Sequence, residues 1–363
     1  MTYHPLTHKC RIYPHPIQIK KFEIALDACQ FLYNNLLKQY KNDYKNNNVP
    51  KNIKEYLSDL CEQNQKTYKS ISKLDASTIK DVSNSIIRAI KLTQNPGNLK
   101  EKTQNRKVKS FLINNNTNIQ LKGNILHLDN YGKFKLYYGK TIRYCKVISY
   151  RVLYQNTKWY ILITIRSDNI EIFPKTGKKV GLDLGINNIL TLSNGKKYSP
   201  PEITKTNEKI DKLNTKLSSK KRGSRKHNEI IEKINILYNH RRNSINDHFH
   251  KITTQLVKEY DIIAMENLDI HNMLKDRRYS KGIFHSNWYK LLNMLKYKCE
   301  LYGKIFIQVN RRFPSTKLCN NCGYKYEDIT IDVRMWECPE CGEIQDRDVN
   351  AAKNILQKAL IDN

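Results

Sequence analysis

The sequence predicts a multidomain fold of α+β and α/β class, and three observations carry that expectation. A helical pattern over about 16–100 lies between strand-like segments, and from about 178 strands alternate with helices. Two Cys-x-x-Cys-Gly knuckles near the C-terminus read as a small metal-stapled module. At roughly one domain per ~150 residues, two or three domains are expected.

Residues 8–13 (HKCRIY) read as a short strand, closed by Pro14 and Pro16. A helical pattern follows, with Ile17, Phe22, Leu26, Cys29, Leu32 and Leu36 near helical spacing. Asn and Lys dominate 41–52 (KNDYKNNNVPKN), which predicts a loop. Helical pattern resumes at 56–60 and again at 79–92, where Val82, Ile86, Ile87 and Ile90 form an apolar stripe; Asn95-Pro96-Gly97 ends it. From about 107 to 170 the period becomes strand-like in VKSFLI, NILHLDN, KFKLYYG, CKVISYRVLYQ and KWYILITIR. The simplest arrangement is a small barrel or sheet, interrupted after its first strand by a helical insert. EIFPKTGKK (171–179) reads as a linker.

KKVGLDLGINNILTLSNG (178–195) reads as strand, turn and strand. Two one-sided helical stripes follow over about 203–260. Ile210, Leu213 and Leu217 precede a break at SSKKRGSRKH. Ile230, Ile234, Leu237, Ile245, Phe249, Ile252 and Leu256 follow it, so a helical hairpin is expected. DIIAMEN (261–267) is a buried strand, WYKLLNMLKYKCELYG (288–303) a helix capped by Gly303, and IFIQV (305–309) another strand. Together these predict an α/β layer.

Lys and Arg number 64 against 34 Asp and Glu, a net charge of +30. Such an excess is normally matched by a polyanion: nucleic acid first, an anionic membrane surface second. Hydrophobic residues at 39 % and aromatics at 10 % exclude a wholly disordered basic chain. No stretch approaches ~18 consecutive apolar residues, so no transmembrane helix is expected. The start, MTYHPLTHKCRIYP, lacks the basic-then-apolar build of an export signal. The expected location is intracellular, cytoplasmic or nucleoid-associated. Of nine cysteines, Cys10, Cys29, Cys61, Cys145 and Cys299 are scattered, and four form two pairs. Without an export signal, paired cysteines point to a metal and not to disulfides.

The pairs are Cys319/Cys322 and Cys338/Cys341, with 15 residues between Cys322 and Cys338. A two-residue gap lets both thiolates of a knuckle reach one ion at ~2.3 Å, and the Gly after each pair permits the turn beneath it. Four thiolates leave no open position, so one structural Zn²⁺ is expected.

Three acidic positions stand where an RNase H-like nuclease needs them. Asp183 lies in GLDLG, whose alternation puts Val180, Leu182 and Leu184 on one face and Gly181, Asp183 and Gly185 on the other. The flanking glycines are expected to leave room for a bulky ligand. Glu266 ends the apolar strand IIAM, and Asp346-Arg347-Asp348 precedes the helical run VNAAKNILQKAL. Two divalent ions ~4 Å apart need carboxylates converging from separate elements, and hard oxygen ligands suit Mg²⁺ or Mn²⁺. Taken singly, each acid has a structural alternative. Asp183 serves as a turn residue, Glu266 as a helix start, and Asp348 as an N-cap. The order of the three, the basicity and the knuckles together favour the nuclease.

Here the sequence resembles the TnpB family of transposon-encoded nucleases, related to type V CRISPR effectors. The matching segments are KCRIYPHPIQIKKF…CQFLYN, WYILITI, GLDLGINNILTLSNG, IIAMENLDIHNM, WYKLLNMLKYKCELYG, FPSTKLCNNCG, MWECPECG and DRDVNAAKNIL. They span essentially the whole chain, most thinly at 40–110. The resemblance implies an RNA-guided DNA endonuclease with guide RNA and target DNA as partners and no membrane association. It implies a β-barrel wedge domain (1–15 and 101–175) with a helical recognition insert (16–100). It further implies a RuvC-like nuclease domain (176–313 and 345–363) and an inserted zinc ribbon (314–344). By motif match Asp183, Glu266 and Asp348 are the catalytic acids holding two Mg²⁺ or Mn²⁺, with Asp346 as substitute for Asp348.

The hairpin break at 216–226 (KLSSKKRGSRK) holds six basic residues in eleven and no acid. Lys216, Lys220, Lys221, Arg222, Arg225 and Lys226 are expected to contact phosphates, the alternative being a solvated turn. Lys20-Lys21, Arg277-Arg278 and Arg311-Arg312 are candidate additions to a groove. Trp159, Tyr160, Tyr279 and Trp288 are weighed as base-stacking residues, with core packing favoured. His248 and His250 lie two apart on a helix and cannot share a face. Two rival functions remain: a nuclease-inactive RNA-guided DNA-binding regulator, and an RNase H-like transposase that joins strands.

Overall fold

Alternation in HPLTHKCRI buries Cys10 and Ile12 and leaves Lys9 exposed, and the computed structural model forms strand β1 (His4–Ile12) there. The structure describes residues 4–93, 95–103, 107–114, 119–137, 146–167, 172–269, 286–330 and 333–362. The chain divides into two compact units, Met1–Asn169 and Ile170–Asn363.

In the first unit, helix α1 (Pro16–Lys45) begins with proline at its first turn, where a missing N–H costs nothing. His15 caps it: its Nδ1 accepts from the Ile17 N–H, and the Gln18 side chain accepts from the His15 N–H at 2.9 Å. The helix continues through 41–45, part of the segment expected to be a loop. Tyr40 stacks on Tyr44 at 6.0 Å and the Tyr56 hydroxyl donates to Asp43, which hold that last turn. Helices α2 (Ile53–Thr67), α3 (Lys69–Ser72) and α4 (Ala76–Leu92) complete the insert. Strands β2 (Ser110–Asn114), β3 (Gln120–Lys122), β4 (Ile125–Leu128), β5 (Gly132–Lys135), β6 (Lys146–Gln155) and β7 (Lys158–Ser167) follow.

Strands β6 and β7 form a hairpin over Asn156 and Thr157, both at positive φ (52° and 60°), the two-residue turn that matches strand twist. β1 pairs antiparallel with β7 from His4↔Ser167 to Ile12↔Trp159, so the helical insert interrupts one sheet of order β1-β7-β6-β2. The short strands β3-β4-β5 pair among themselves and meet the larger sheet through an Arg11↔Tyr137 bridge. Among the described residues the strands close no barrel. Phe22 of α1 sits at the centre of the core, 5.1 Å from Trp159, 5.5 Å from Phe134 and 5.9 Å from Phe111. Arg151 of β6 bonds both oxygens of Asp81 on α4, at 2.9 and 2.8 Å.

In the second unit, β8 (Lys179–Asp183), β9 (Leu190–Leu192) and β10 (Lys197–Tyr198) lead into helices α5 (Thr204–Ser218) and α6 (Arg225–Glu259). Then come β11 (Ile262–Glu266), α7 (Trp288–Tyr302), β12 (Ile305–Val309), the hairpin β13 (Met335–Glu337) and β14 (Ile344–Asp346), and α8 (Arg347–Ile361). The sheet order is β10-β9-β8-β11-β12. β8, β11 and β12 are parallel, while β9 and β10 are antiparallel to their neighbours. One face buries Val180, Leu182, Ile263 and Met265 against Phe249 and Leu256 of α6 and Leu291 and Leu295 of α7. On the other face Ala264 and Val309 pack against Ile355 and Ala359 of α8. Helices on both faces are what a parallel sheet requires. Gly303 ends α7 at φ 68°, where a residue without Cβ is at ease. Among the described residues no helix is long and apolar enough to cross a membrane.

Candidate functional site

The two central parallel strands carry the first two acids at their C-terminal ends. Gly181 pairs with Ala264 and Leu182 with Met265, so one step further brings Asp183 beside Glu266. Strand alternation turns both toward the face that α8 crosses, because Gly181 and Ala264 lie under that helix. Asp348 sits in the first turn of α8. Asp183 therefore lies within electrostatic reach of both Glu266 and Asp348, and all three are half-buried. Burial, then the Asp348 and Glu266 carboxylates, raises the Asp183 pKa well above the usual value, against the lowering effect of Arg347 and the Leu184 N–H. Burial pushes Glu266 up to about 7. A buried carboxyl whose pKa is raised by two neighbouring carboxylates favours a compensating cation.

The glycines around Asp183 do not serve the expected purpose. A Cβ on Gly181 would stand 2.0 Å from the Ala352 carbonyl oxygen and 2.9 Å from Leu356 Cβ, and one on Gly185 would stand 2.6 Å from the Asn188 carbonyl oxygen. The first glycine admits helix α8 and the second a tight turn; neither opens space for a ligand. Trp288 donates its Nε1–H to the Gly185 carbonyl at 3.2 Å and ties down the loop beyond Asp183.

Asp346 and Asp348 do different work. Asp346 is the N-cap of α8: its Oδ1 accepts from the Asp348 and Val349 N–H groups at 3.0 Å each, and its Oδ2 takes the Lys197 ammonium at 2.6 Å. Burial raises its pKa, but the Lys197 bond and the two N–H groups together hold it below the usual range. Asp348, the residue weighed as an N-cap, is not the cap. Its partners are Arg334 at 3.2 Å and Arg347 at 3.2 Å. Lys197, Arg334 and Arg347 are the partners of these acids that the residue pattern did not point to. Arg347 alone carried a local signal, standing between the two acids.

The four paired cysteines come together, with all four Sγ atoms within 4.8 Å of one another. Cys319 and Cys341 are 3.7 Å apart and Cys322 and Cys338 3.6 Å. Thiolates at ~2.3 Å from one ion stand ~3.8 Å apart in a tetrahedron, so the donor set fits a four-thiolate metal centre. Gly323 and Gly342 take positive φ (78° and 70°), as the knuckle turns demand. Gln345 donates to Cys319 Sγ at 2.8 Å and Asn321 to Cys341 Sγ at 3.5 Å. Asn350 and Asn354, one turn apart on α8 and buried, bind the first knuckle's backbone: Asn350 bonds the Asn320 N–H and the Leu318 carbonyl, and Asn354 the Ser315 and Leu318 carbonyls.

Lys216, Lys220, Lys221, Arg222, Arg225 and Lys226 are all exposed at the end of the α5–α6 hairpin. Ser224 caps α6 there, accepting from the His227 N–H at 3.2 Å. α6 has 35 residues, and Ile234 is its first buried one, so the basic end projects beyond the sheet's core. Trp159 and Trp288 are core residues, and Tyr160 is half-buried. Lys20 and Lys21 are exposed, and Lys21 bonds the Asn130 carbonyl. Arg311 pairs with Asp269 at 3.0 Å, Arg312 is exposed, and His248 bonds the Ser199 carbonyl. Cys145, Arg277, Arg278 and Tyr279 lie outside the described residues.

Three family models match in succession: the IS605 OrfB "Helix-turn-helix domain" at 4–48, the IS605 OrfB "Probable transposase" at 162–277, and the "Cas12f1-like, TNB domain" at 288–355. At 4–48 the structure has a strand and one unbroken long helix. A Streptomyces pristinaespiralis protein named "Putative RNA-guided DNA endonuclease" is 34% identical over 204 residues, 56% of this chain and 50% of that protein. The "TnpB-like protein L79" of Acanthamoeba polyphaga mimivirus is 30% identical over 221 residues, 56% of this chain and 42% of its own. The chain thus spans about half the length of the curated relatives it matches. The "Cryo-EM structure of the Cas12f1-sgRNA-target DNA complex" aligns with TM-score 0.61 at 14% identity, covering 97% of this chain and 98% of that one, a likeness of fold. Fold and carboxylate cluster define a mixed α/β protein with three acids at the ends of parallel strands and a following helix. The resemblance to the TnpB family, read first in the motifs, stands in the family models and in the named relatives.

Proposed function

We infer that the protein is an RNA-guided DNA endonuclease of the TnpB kind, hydrolysing phosphodiesters at a metal-dependent RuvC-like site in 176–313 and 345–363. The observation that carries this is the electrostatic proximity of Asp183 to both Glu266 and Asp348, which come from three separate elements. Asp183, Glu266 and Asp348 would hold two Mg²⁺ or Mn²⁺, whose oxygen preference the donor set suits. When bound, such ions supply an activated water and stabilise the leaving oxygen. The chain's own contribution is positional. The parallel strands fix two carboxylates side by side, α8 presents the third, and Asp346 anchors the start of that helix without joining the site.

Cys319, Cys322, Cys338 and Cys341 would hold one structural Zn²⁺ in a ribbon at 314–344, held to α8 by Asn350 and Asn354. The wedge at 1–15 and 101–175, with its insert at 16–100, would hold the guide RNA. The six exposed cations at 216–226 would contact phosphates of RNA or target DNA.

The test is cleavage of target DNA by the purified protein–RNA complex with Mg²⁺ or Mn²⁺, using Asp183→Ala and Glu266→Ala. Both variants are expected to retain RNA and target binding and lose cutting. Undiminished cutting by either removes the nuclease assignment at that residue. Joined strands in place of hydrolysed ends would favour the transposase reading, to which the same carboxylates lend themselves.

A further inference from the structure

Within the first unit, the outer face of β1 and β7 gathers aromatic rings and cations. Cys10 and Ile12 point into the core, so Lys9 and Arg11 stand on the opposite face, in register with Leu162 and Tyr160 of β7. The Arg11 guanidinium lies 4.8 Å from the Tyr13 ring centroid and 5.2 Å from that of Tyr160, between the two rings. It is held there by a 3.1 Å bond to the Trp159 carbonyl. The Lys9 ammonium lies 4.1 Å from the Tyr160 ring, and Lys135 lies 5.5 Å from that of Tyr137. Tyr13 and Tyr137 meet edge to face at 5.2 Å, and the backbone bridge Arg11↔Tyr137 fixes the two segments that carry them.

Tyr13 is 69% exposed and Tyr137 47%. Their rings are braced by cations yet keep much of their surface in water. The charged groups set against these rings are the cations Lys9, Arg11 and Lys135, Lys9 also donating to Gln155 Oε1, so a ligand that brings negative charge fits. An aromatic ring set among lysine and arginine matches a nucleotide, with its base against the ring and its phosphate against the cation. A base inside a duplex has both faces covered by its neighbours and offers nothing to an isolated tyrosine. An unpaired one does.

We propose that Tyr13 and Tyr137, with Lys9, Arg11 and Lys135, form a stacking site for unpaired nucleotides of a single-stranded nucleic acid. This rests on the nucleic-acid reading given above and adds to it a residue-level site and a strand state. The tyrosines supply stacking, which is indifferent to salt. The cations supply phosphate contacts, which are not.

The experiment uses the full chain and fluorescent 20-nucleotide probes: unstructured RNA, unstructured DNA, and an RNA duplex of equal length. Stacking of one base at ~1–3 kcal/mol corresponds to roughly 5- to 150-fold in affinity. Tyr13→Ala/Tyr137→Ala is expected to weaken unstructured probes by at least that lower bound, with the log–log salt slope unchanged and duplex affinity retained. Tyr13→Phe/Tyr137→Phe keeps both rings and should bind like the parent chain. Lys9→Gln/Arg11→Gln should instead reduce the slope by about 0.7 for each single-strand phosphate that is no longer neutralised. Loss confined to the RNA probe assigns the site to RNA, and loss confined to the DNA probe assigns it to displaced DNA. Unchanged affinity of the alanine pair, or an equal loss in the phenylalanine pair, overturns the proposal. A parent chain that binds none of the probes overturns the nucleic-acid reading itself, a result separable from unchanged variants of a chain that binds.

Discussion

Replacing each acid of Asp346-Arg347-Asp348 by its amide separates a structural carboxylate from a functional one. Asp346→Ala removes the N-cap of α8, costing ~1–2 kcal/mol. It also removes the pair with Lys197, whose side chains are 28% and 36% exposed, worth only ~0.5 kcal/mol after solvent screening. The sum, about 2 kcal/mol, lowers the melting temperature of a unit of this size by roughly 4–8 °C. Asparagine caps as well as aspartate, so Asp346→Asn should keep stability within ~0.5 kcal/mol. It should also keep cutting, because both Asp346 oxygens are already committed to α8 and Lys197. Asp348→Asn leaves that cap intact and removes a carboxylate that faces Asp183. Its cleavage should fall by at least ~100-fold, the scale expected when a metal ligand is removed. Melting curves and time courses of plasmid cleavage by the protein–RNA complex read both effects. An inactive Asp346→Asn of normal stability, or an Asp348→Asn that cuts at the parent rate, would refute the division of labour.

Cys338→Ser should reduce bound zinc from one per chain, by elemental analysis, and lower activity along with it, since Asp348 directly follows the cysteine module; full activity without zinc contradicts the coupling. Gly181→Ala drives a methyl to 2.0 Å from a helix carbonyl, so α8 must shift, at a cost of ~3 kcal/mol or more; a parent-like melting temperature would refute that packing. Asp261 accepts from Lys304 Nζ at 2.6 Å and from the Thr176 and Gly177 N–H groups, and these bonds, led by Lys304, lower its pKa. A depressed folded-state pKa gives stability that is complete above the unfolded value of ~3.9 and fades as pH falls through the folded one. Asp261→Asn should therefore lose ~3 kcal/mol at neutral pH, because Lys304 stays buried, and show a flatter acid limb in pH-dependent melting. An acid limb unchanged from the parent places the titration elsewhere.

Local chemistry was the part of this fold most legible from sequence. Cys-x-x-Cys-Gly specifies its own turn, Gly303 its own helix end, and the apolar run before Glu266 its own strand, because each depends on a few adjacent residues. Boundaries set by contacts from afar were less legible. Polar Asn and Lys at 41–45 pointed to a loop, and stacking by Tyr40 with a bond from Tyr56 kept the chain helical. The three acids were legible as residue types in order, while the choice within Asp346-Arg347-Asp348 depended on Lys197, 149 positions earlier in the chain. Gly181 and Gly185 were legible as necessary, and for the wrong reason: only the path of α8 and the turn at Asn188 reveal what the missing Cβ makes room for. Arg334 gave no signal at all, since nothing in its neighbourhood announces a partner 14 positions later.

The passage from β14 to α8 has no spare residue, for Asp346 is both the last of the strand and the cap of the helix. That makes the junction a phase-setting splice. Each residue added between Asp346 and Asp348 would turn the third acid by about 100° around the helix axis and advance it 1.5 Å. Insertions in the exposed basic bend at 219–223 carry no such penalty for the fold, since slack there is absorbed outside any packed layer, and their effect falls on the proposed phosphate contacts instead. Length change along this chain should accordingly be tolerated at the hairpin end and forbidden at 346–348.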